Sequence, residues 1–582
     1  MIRKRGAFSI CALVAGFSAA AWTEAHGQKS PNGYVARPAG TLTFSKDIAP
    51  IIFRNCSACH RPGQSAPFNL LTYEDVRKHR KDIAEVTARR YMPPWLPEPG
   101  HGDFAAARLL SAGQIGMIQQ WAAEGGVEGN PAELPPLPKW RDDWQLGEPD
   151  LVVTMAAAYT LPAEGKDVYR NFVIPVPLTA RQFVKAVEFR PGNARIVHHA
   201  FLKVDRTRQS RRLDGRDGLP GFPGMNVPDS VQMAEGHFLS WQPGKIASPE
   251  PEGLSWTLEP DSDLVLQLHL RPSGKPEAIQ SKVAFYFTDT PPTNSCFRLV
   301  LASLTIDIPP GIADEEVRDD FVLPVDVHAL AVLPHAHYLG KEMQGYATLP
   351  DGTKQWMILI RNWDFNWQGD YRYTSPVFLP KGTTLSMRYT FDNSTGNIRN
   401  PNNPPKRVTY GPQTTDEMAE LWFQILPRNR ADREVLAEAL STKVKQVFFE
   451  YDQFLLRKDP NSVKGHVELA VALLGQGKSE EARKHLSAAA QIDPQNDQPH
   501  YYLGVAFRQQ RMLAEAKAEF ENALRLNPDN FKAHGNLGLI LAEQRNWEQA
   551  ESHFRSALRI NPDDSLAQES LKELLKAKPS NK

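Results

Sequence analysis

Six side chains are candidates for metal chemistry: the imidazoles of His198, His199, His269, His335 and His337, and the thioether of Met418. His335 and His337 lie one residue apart in Leu333-Pro334-His335-Ala336-His337-Tyr338-Leu339-Gly340, and on a strand such neighbours point to one side. A pair of this kind either grips one metal ion or is a buried, hydrogen-bonded pair. Val197-His198-His199 ends a strand-like segment, and Leu264-Val265-Leu266-Gln267-Leu268-His269 places a third imidazole; three imidazoles suit copper or zinc. Neighbours on a regular strand face opposite ways, so His198 and His199 meet at one ion only through a bulge or twist. Thr415-Asp416-Glu417-Met418 offers a soft sulfur, and a thioether with two imidazoles favours Cu(I) over zinc. Met343 and Met387 are rival methionines that fit packing better. His328, on a continuous strand, faces away from His335 and is left unassigned.

Cys56-Ser57-Ala58-Cys59-His60 is the c-type haem attachment pattern, in which two thiols bond the haem vinyls and the histidine ligates iron. A redox dithiol wants a βαβ context, which is absent, and zinc wants a second cysteine or histidine pair nearby. Met92, in Tyr91-Met92-Pro93-Pro94-Trp95, is the expected second axial ligand; a thioether favours ferrous iron. His79 and His101 compete with it. Met117 falls in an apolar stripe with Ile115, Ile118 and Trp121 and reads as core.

These residues need several scaffolds. The chain has 582 residues, which suggests about three or four domains. Lys+Arg and Asp+Glu balance at 67 each, so no nucleic acid or other charged polymer is implied as partner. Arg3-Lys4-Arg5 followed by an apolar run from Ala7 to Ala21 reads as a secretory signal over 1–25, with cleavage after Ala21 or Ala25. The run is too short to span a bilayer, and no later segment is apolar enough. A periplasmic or secreted protein is expected. Of four cysteines, Cys11 lies in the leader and two belong to the haem motif, so no disulfide framework remains.

The expected order is a small all-α haem domain of the cytochrome c kind over 40–128 and a proline-rich linker over 129–145. From there to 428, short alternating runs separated by turn residues mark antiparallel sheets. That length suits two all-β sandwich or jelly-roll domains, 146–290 and 291–428, joined near Thr288 to Asn294. A charged helix over 429–459 then leads to helical repeats over 460–580. Pro460, Pro494, Pro528 and Pro562 recur every 34 residues, and Ala482, Ala516 and Ala550 keep the same register. Leu486, Phe520 and Phe554 repeat likewise. This is the tetratricopeptide pattern, an α-solenoid. It implies either a protein-docking surface or a stabilising cap, with a closing helix from Ser565.

The order His-His, Leu-Gln-x-His, His-x-His-x-Leu-Gly and Asp-Glu-Met resembles the copper type II, ascorbate-dependent monooxygenases, which include the peptidylglycine α-hydroxylating and dopamine β-monooxygenases. The resemblance covers roughly 150–428. It implies two jelly-roll domains facing a solvent cleft, each with one copper ion. His198, His199 and His269 would hold the electron-transfer copper; His335, His337 and Met418 would hold the copper that binds dioxygen and attacks C–H. Where peptide-amidating members place an Arg, an Asn and a Tyr on a substrate carboxylate, this chain has Leu333, Glu420 and Trp422. An apolar, aromatic or cationic small organic substrate is therefore expected. The fused haem is expected to replace or supplement ascorbate, with an external reductant or redox protein feeding it. The contrasting reading is a non-catalytic haem and copper electron-transfer or copper-binding scaffold; a zinc hydrolase lacks a Glu base in the motif.

Overall fold

The computed structural model describes residues 34–578 apart from 65, 141–143 and 226. The leader expected over 1–25 lies outside the described residues. The chain forms two compact units. The first comprises the described residues to Trp95 together with Ala107–Trp140; the second takes Leu96–Ala106 and everything described from 144 onward.

The first unit is small and helical, with helices Ala49–Asn55, Tyr73–Lys78, Arg80–Ala88 and Ala112–Ala123. Two of them open with reciprocal caps, Thr72 with Asp75 and Ser111 with Gln114, which satisfy otherwise orphaned N–H groups. Phe44, Ile48, Ile52 and Trp121 are buried at its centre, with Met117 packed against them as the apolar stripe predicted.

Leu96–Ala106 leaves this unit and joins the β region. Glu98 N–H donates to the Leu359 carbonyl at 2.8 Å, Ala105 N–H donates to that of Arg372 at 2.8 Å, and Phe104 bridges Tyr373. Sequence periodicity carries no sign of this detour, because the segment has no repeat of its own.

The β region consists of curled antiparallel sheets in two sandwiches. In the first, Leu151–Thr154, Lys282–Thr288, Gln182–Arg190 and Trp256–Leu258 form one sheet. The other is centred on Val168–Pro175, Asp263–Leu270 and Val197–Asp205. Phe285, Trp256 and Val184 from one sheet meet Phe172, Leu202 and Leu266 from the other in a single apolar core. In the second sandwich, Phe297–Ala302, Ala419–Pro427, Val327–Ala336 and Tyr371–Leu379 form one sheet. Glu315–Val322, Thr384–Phe391, Gly340–Thr348 and Lys354–Ile360 form its companion. Met343 and Met387 are fully buried, as packing residues should be.

Helix Arg430–Lys458 leads into three helical hairpins and a last helix, Ser565–Ala577. Within a hairpin a glycine faces a phenylalanine: a Cβ on Gly504 would lie 2.6 Å from the Phe520 ring, and one on Gly538 2.7 Å from Phe554. The first copy has Ala470 and Leu486 at these places, a larger residue facing a smaller one. Among the described residues no helix is long and apolar enough to cross a membrane.

Candidate metal centres

Strands Val197–Asp205 and Asp263–Leu270 pair antiparallel with His269 opposite His199 and Leu270 opposite Val197. His198 is thus the extra residue of a β-bulge. Its ring swings to the side of its neighbour, which a regular strand forbids. The pair opens its strand rather than ending one. His198 Nδ1 lies 3.1 Å from His199 Nδ1 and 3.2 Å from His269 Nδ1. Two ligands at about 2.0–2.1 Å from one ion and roughly 100° apart have this separation. Burial holds His198 down to about 3 and pushes His199 and His269 below the usual imidazole range, so all three are in the neutral, ligating form.

Three partners orient the trio. Asp167 accepts from His269 Nε2 at 2.9 Å, which leaves Nδ1 as the free donor atom. Tyr169, opposite His269 on the neighbouring strand, stacks on its ring at 4.2 Å and 13°. Phe365 stacks on His198 at 5.1 Å. Sequence reasoning missed all three, since an isolated acid or aromatic carries no spacing signal.

The second group uses the opposite ring nitrogens. His337 Nδ1 donates to the Asp416 carbonyl at 3.0 Å and His335 Nδ1 donates to Gln368 Oε1, so each presents Nε2. His337 Nε2 is buried with no hydrogen-bond partner, an orphaned lone pair of the kind a metal ion satisfies. Burial, then the His335 charge, holds His337 down to about 3. Strand Ala419–Pro427 pairs with Val327–Ala336, Glu420 opposite His335 and Ala419 opposite Ala336, so Met418 stands one step on, level with His337. Glu417 locks that step: its carboxylate accepts from the backbone N–H groups of His337, Met418 and Leu339. Burial pushes this carboxyl up to about 8 against those three donors. Trp363 Nε1 donates to the His337 carbonyl at 3.0 Å, and a Cβ on Gly340 would lie 2.5 Å from the Trp363 ring. Only glycine fits there, which is why the motif ends in one.

Val327–Ala336 is not continuous: its register shifts between Ala329 and Ala331. The shift restores His328 to the alternation of His335, a correction to the expectation. It still excludes His328 from the site, because six strand steps at about 3.3 Å each separate the two. His328 is exposed, beside Phe378.

One phenyl ring lies between the groups. Phe365, 1% exposed, touches His198 at 5.1 Å and His337 at 5.6 Å between ring centroids. Around Leu333, Glu420 and Trp422, Trp422 Nε1 donates to Glu420 at 2.8 Å and Arg298 stacks over the Trp422 ring at 4.9 Å. A cation therefore reaches this face from the neighbouring strand, although the motif itself has none.

In the first unit, Cys56 caps the first α-helix, and the Cys59 and His60 N–H groups turn back onto its carbonyl. Burial pushes the Cys56 thiol up to about 12 and also raises Cys59. Redox dithiols run the other way, toward low values. His60 Nδ1 donates to the Phe68 carbonyl at 3.1 Å, which leaves the Nε2 lone pair available. His79 stacks on the Phe68 ring at 3.9 Å, while Met92 follows helix Arg80–Ala88 with its N–H on Val86. His101 belongs to the second unit, with its ring against Trp356.

No curated protein sequence matches the chain. Two family models match it: one described as tetratricopeptide repeat, over residues 501–565, and one as TPR repeat, over 470–511. Among solved structures, the chain is similar to the Arabidopsis OM64 TPR domain, with 20% identity, TM-score 0.20, and 20% of this chain and 96% of that one covered. It is similar to MamA at 21% identity and TM-score 0.22, covering 24% of this chain and 82% of that one. It is also similar to the first TPR of Spaghetti (RPAP3) bound to an HSP90 peptide, at 22% identity and TM-score 0.20, covering 20% and 94%. Residues 470–565 of this chain are tetratricopeptide repeats.

Proposed function

We propose that the chain is an exported copper-dependent monooxygenase that hydroxylates a C–H bond of an organic substrate, with electrons supplied through its own c-type haem. The observation that carries this reading is the meeting of three imidazoles, with His198 Nδ1 3.1 Å from His199 Nδ1 and 3.2 Å from His269 Nδ1, beside a second group that offers two Nε2 atoms and a thioether. Nitrogen and soft sulfur donors without a carboxylate ligand suit copper in both oxidation states better than zinc. The β region then corresponds to two jelly-roll domains and the helical unit to a cytochrome c.

When bound, two coppers and one haem supply one-electron storage and dioxygen activation, for the net reaction of R–H, O₂, two electrons and two protons to R–OH and water. His198, His199 and His269 would hold one copper; His335, His337 and Met418 would hold the other. Cys56 and Cys59 would carry the haem, with His60 and either Met92 or His79 available to ligate its iron. The protein's own contribution is orientation. Asp167 and the Asp416 carbonyl keep each proton on the ring nitrogen that faces away from the metal. Glu417 holds the His337 and Met418 backbones at fixed spacing, and Phe365 keeps water from between the groups. The substrate lies on the face shared by His335, Glu420 and Trp422. The repeats dock a protein partner, and an external donor reduces the haem.

The test is turnover of the copper- and haem-loaded chain with dioxygen against a pool of organic substrates, beside metal analysis. Two coppers held by the six central donors, one haem and a hydroxylated product are expected, with Met418→Ala abolishing product while sparing the haem spectrum. Product formation undiminished in Met418→Ala, or zinc in place of copper, refutes the reading.

A further inference from the structure

The repeats hold five of the chain's 16 histidines, and all five recur in register. His466, His500 and His534 each stand six residues after a repeat proline, and 19 residues later come His485, Glu519 and His553. Each pair meets across its hairpin. His466 and His485 are 3.0 Å apart between Nδ1 atoms, His534 and His553 2.8 Å, and His500 Nδ1 is 2.7 Å from Glu519.

His466 and His534 also donate from Nε2 to the carbonyls of Pro460 and Pro528, at 3.0 and 3.1 Å. In the last helix Gln568 does the same for Pro562 at 2.7 Å, so capping that carbonyl needs only an amide. With Nε2–H committed, Nδ1 presents a lone pair, and what faces it is another Nδ1. Two nitrogen ligands at about 2.05 Å from an ion and at right angles lie about 2.9 Å apart. Burial, and then the facing imidazole, pushes His485 and His553 below the usual range, and burial does the same for His534. His485, His534 and His553 therefore favour the neutral form, and all of the rings are only partly buried.

We propose that His466/His485 and His534/His553 are two-imidazole sites for a divalent transition-metal ion, Cu(II) foremost, with water completing the coordination. Copper leads because nitrogen donors follow the Irving–Williams order and a right-angled pair suits tetragonal geometry. His500/Glu519 is a mixed nitrogen and oxygen site between them. Glu481 stands near the first pair, and Lys517, Arg559 and Asp529 stand near the last. These sites lie on the repeats and do not depend on the two central groups.

The experiment is equilibrium dialysis of the full chain against Cu(II) chloride, comparing wild type with the His485→Gln/His553→Gln double variant. Glutamine keeps a hydrogen bond to the facing Nδ1 but gives up the metal ligand. The variant is expected to bind two fewer copper ions per chain at unchanged helical circular dichroism. Equal stoichiometry means the pairs are hydrogen bonds only and overturns the proposal. Should the variant unfold, hydrogen exchange of wild-type residues 463–560 decides: protection must rise with Cu(II) and fall back with chelator, and no change overturns it.

Discussion

The Asp167 carboxylate accepts a hydrogen bond from Nε2 of His269 at 2.9 Å, and that contact decides which nitrogen His269 turns toward His198. The acid is held below the usual carboxylate range even though burial opposes this, because the imidazole outweighs it. An ionised acceptor fixes the tautomer, raises the ligand's basicity and holds the ring against the Tyr169 face.

Asp167→Asn keeps the shape but removes the charge. Copper affinity of the first group should fall about 10–100-fold, measured by competition with a chelator, with little change in melting temperature. Undiminished affinity would mean that Tyr169 stacking alone orients the ring.

Phe365→Ala removes a fully enclosed ring from between the two groups. The cavity should cost about 3–5 kcal/mol of stability, read from denaturant unfolding. Copper stoichiometry should stay the same, because Phe365 supplies no donor atom.

Lys203 donates to Gln267 Oε1 at 3.3 Å and has no ion-pair partner among the described residues. Burial, then the Arg298 charge, pushes it down to about 8 from 10.5. Below pH 8 both folded and unfolded chains carry this proton, and the full penalty stands. From pH 8 to 10.5 the unfolded chain binds more protons, so this group's contribution to stability rises with pH. Lys203→Met should stabilise the protein at pH 7 by about 1–3 kcal/mol and erase that rise, as urea unfolding at pH 7 and 10 would show.

Gly504→Ala tests the repeats. Helix propensity alone favours alanine by about 1 kcal/mol, but the new Cβ would lie 2.6 Å from the Phe520 ring. Overpacking costs about 1–3 kcal/mol, so a lower melting temperature is expected. Adding Phe520→Leu should restore it, since the chain's own first repeat pairs Ala470 with Leu486.

The helical repeats were legible almost to the residue, because a 34-residue period imposes small residues at each helix contact without reference to distant chain. The alternating strands were legible for the same local reason. The detour of Leu96–Ala106 into the β region was not, nor was the shifted register at Ala329–Ala331, because neither leaves a period to read.

By itself the sequence determined the donor types: five imidazoles and a thioether in a strand-rich region, a thiol pair followed by histidine, and a repeat array. Tertiary structure alone decided how those donors meet. A bulge turns His198 toward His199, Asp167 and the Asp416 carbonyl choose the ring nitrogens, and Phe365 comes between the groups. Residue type is a local property, whereas tautomer, ring direction and separation depend on contacts between segments far apart along the chain.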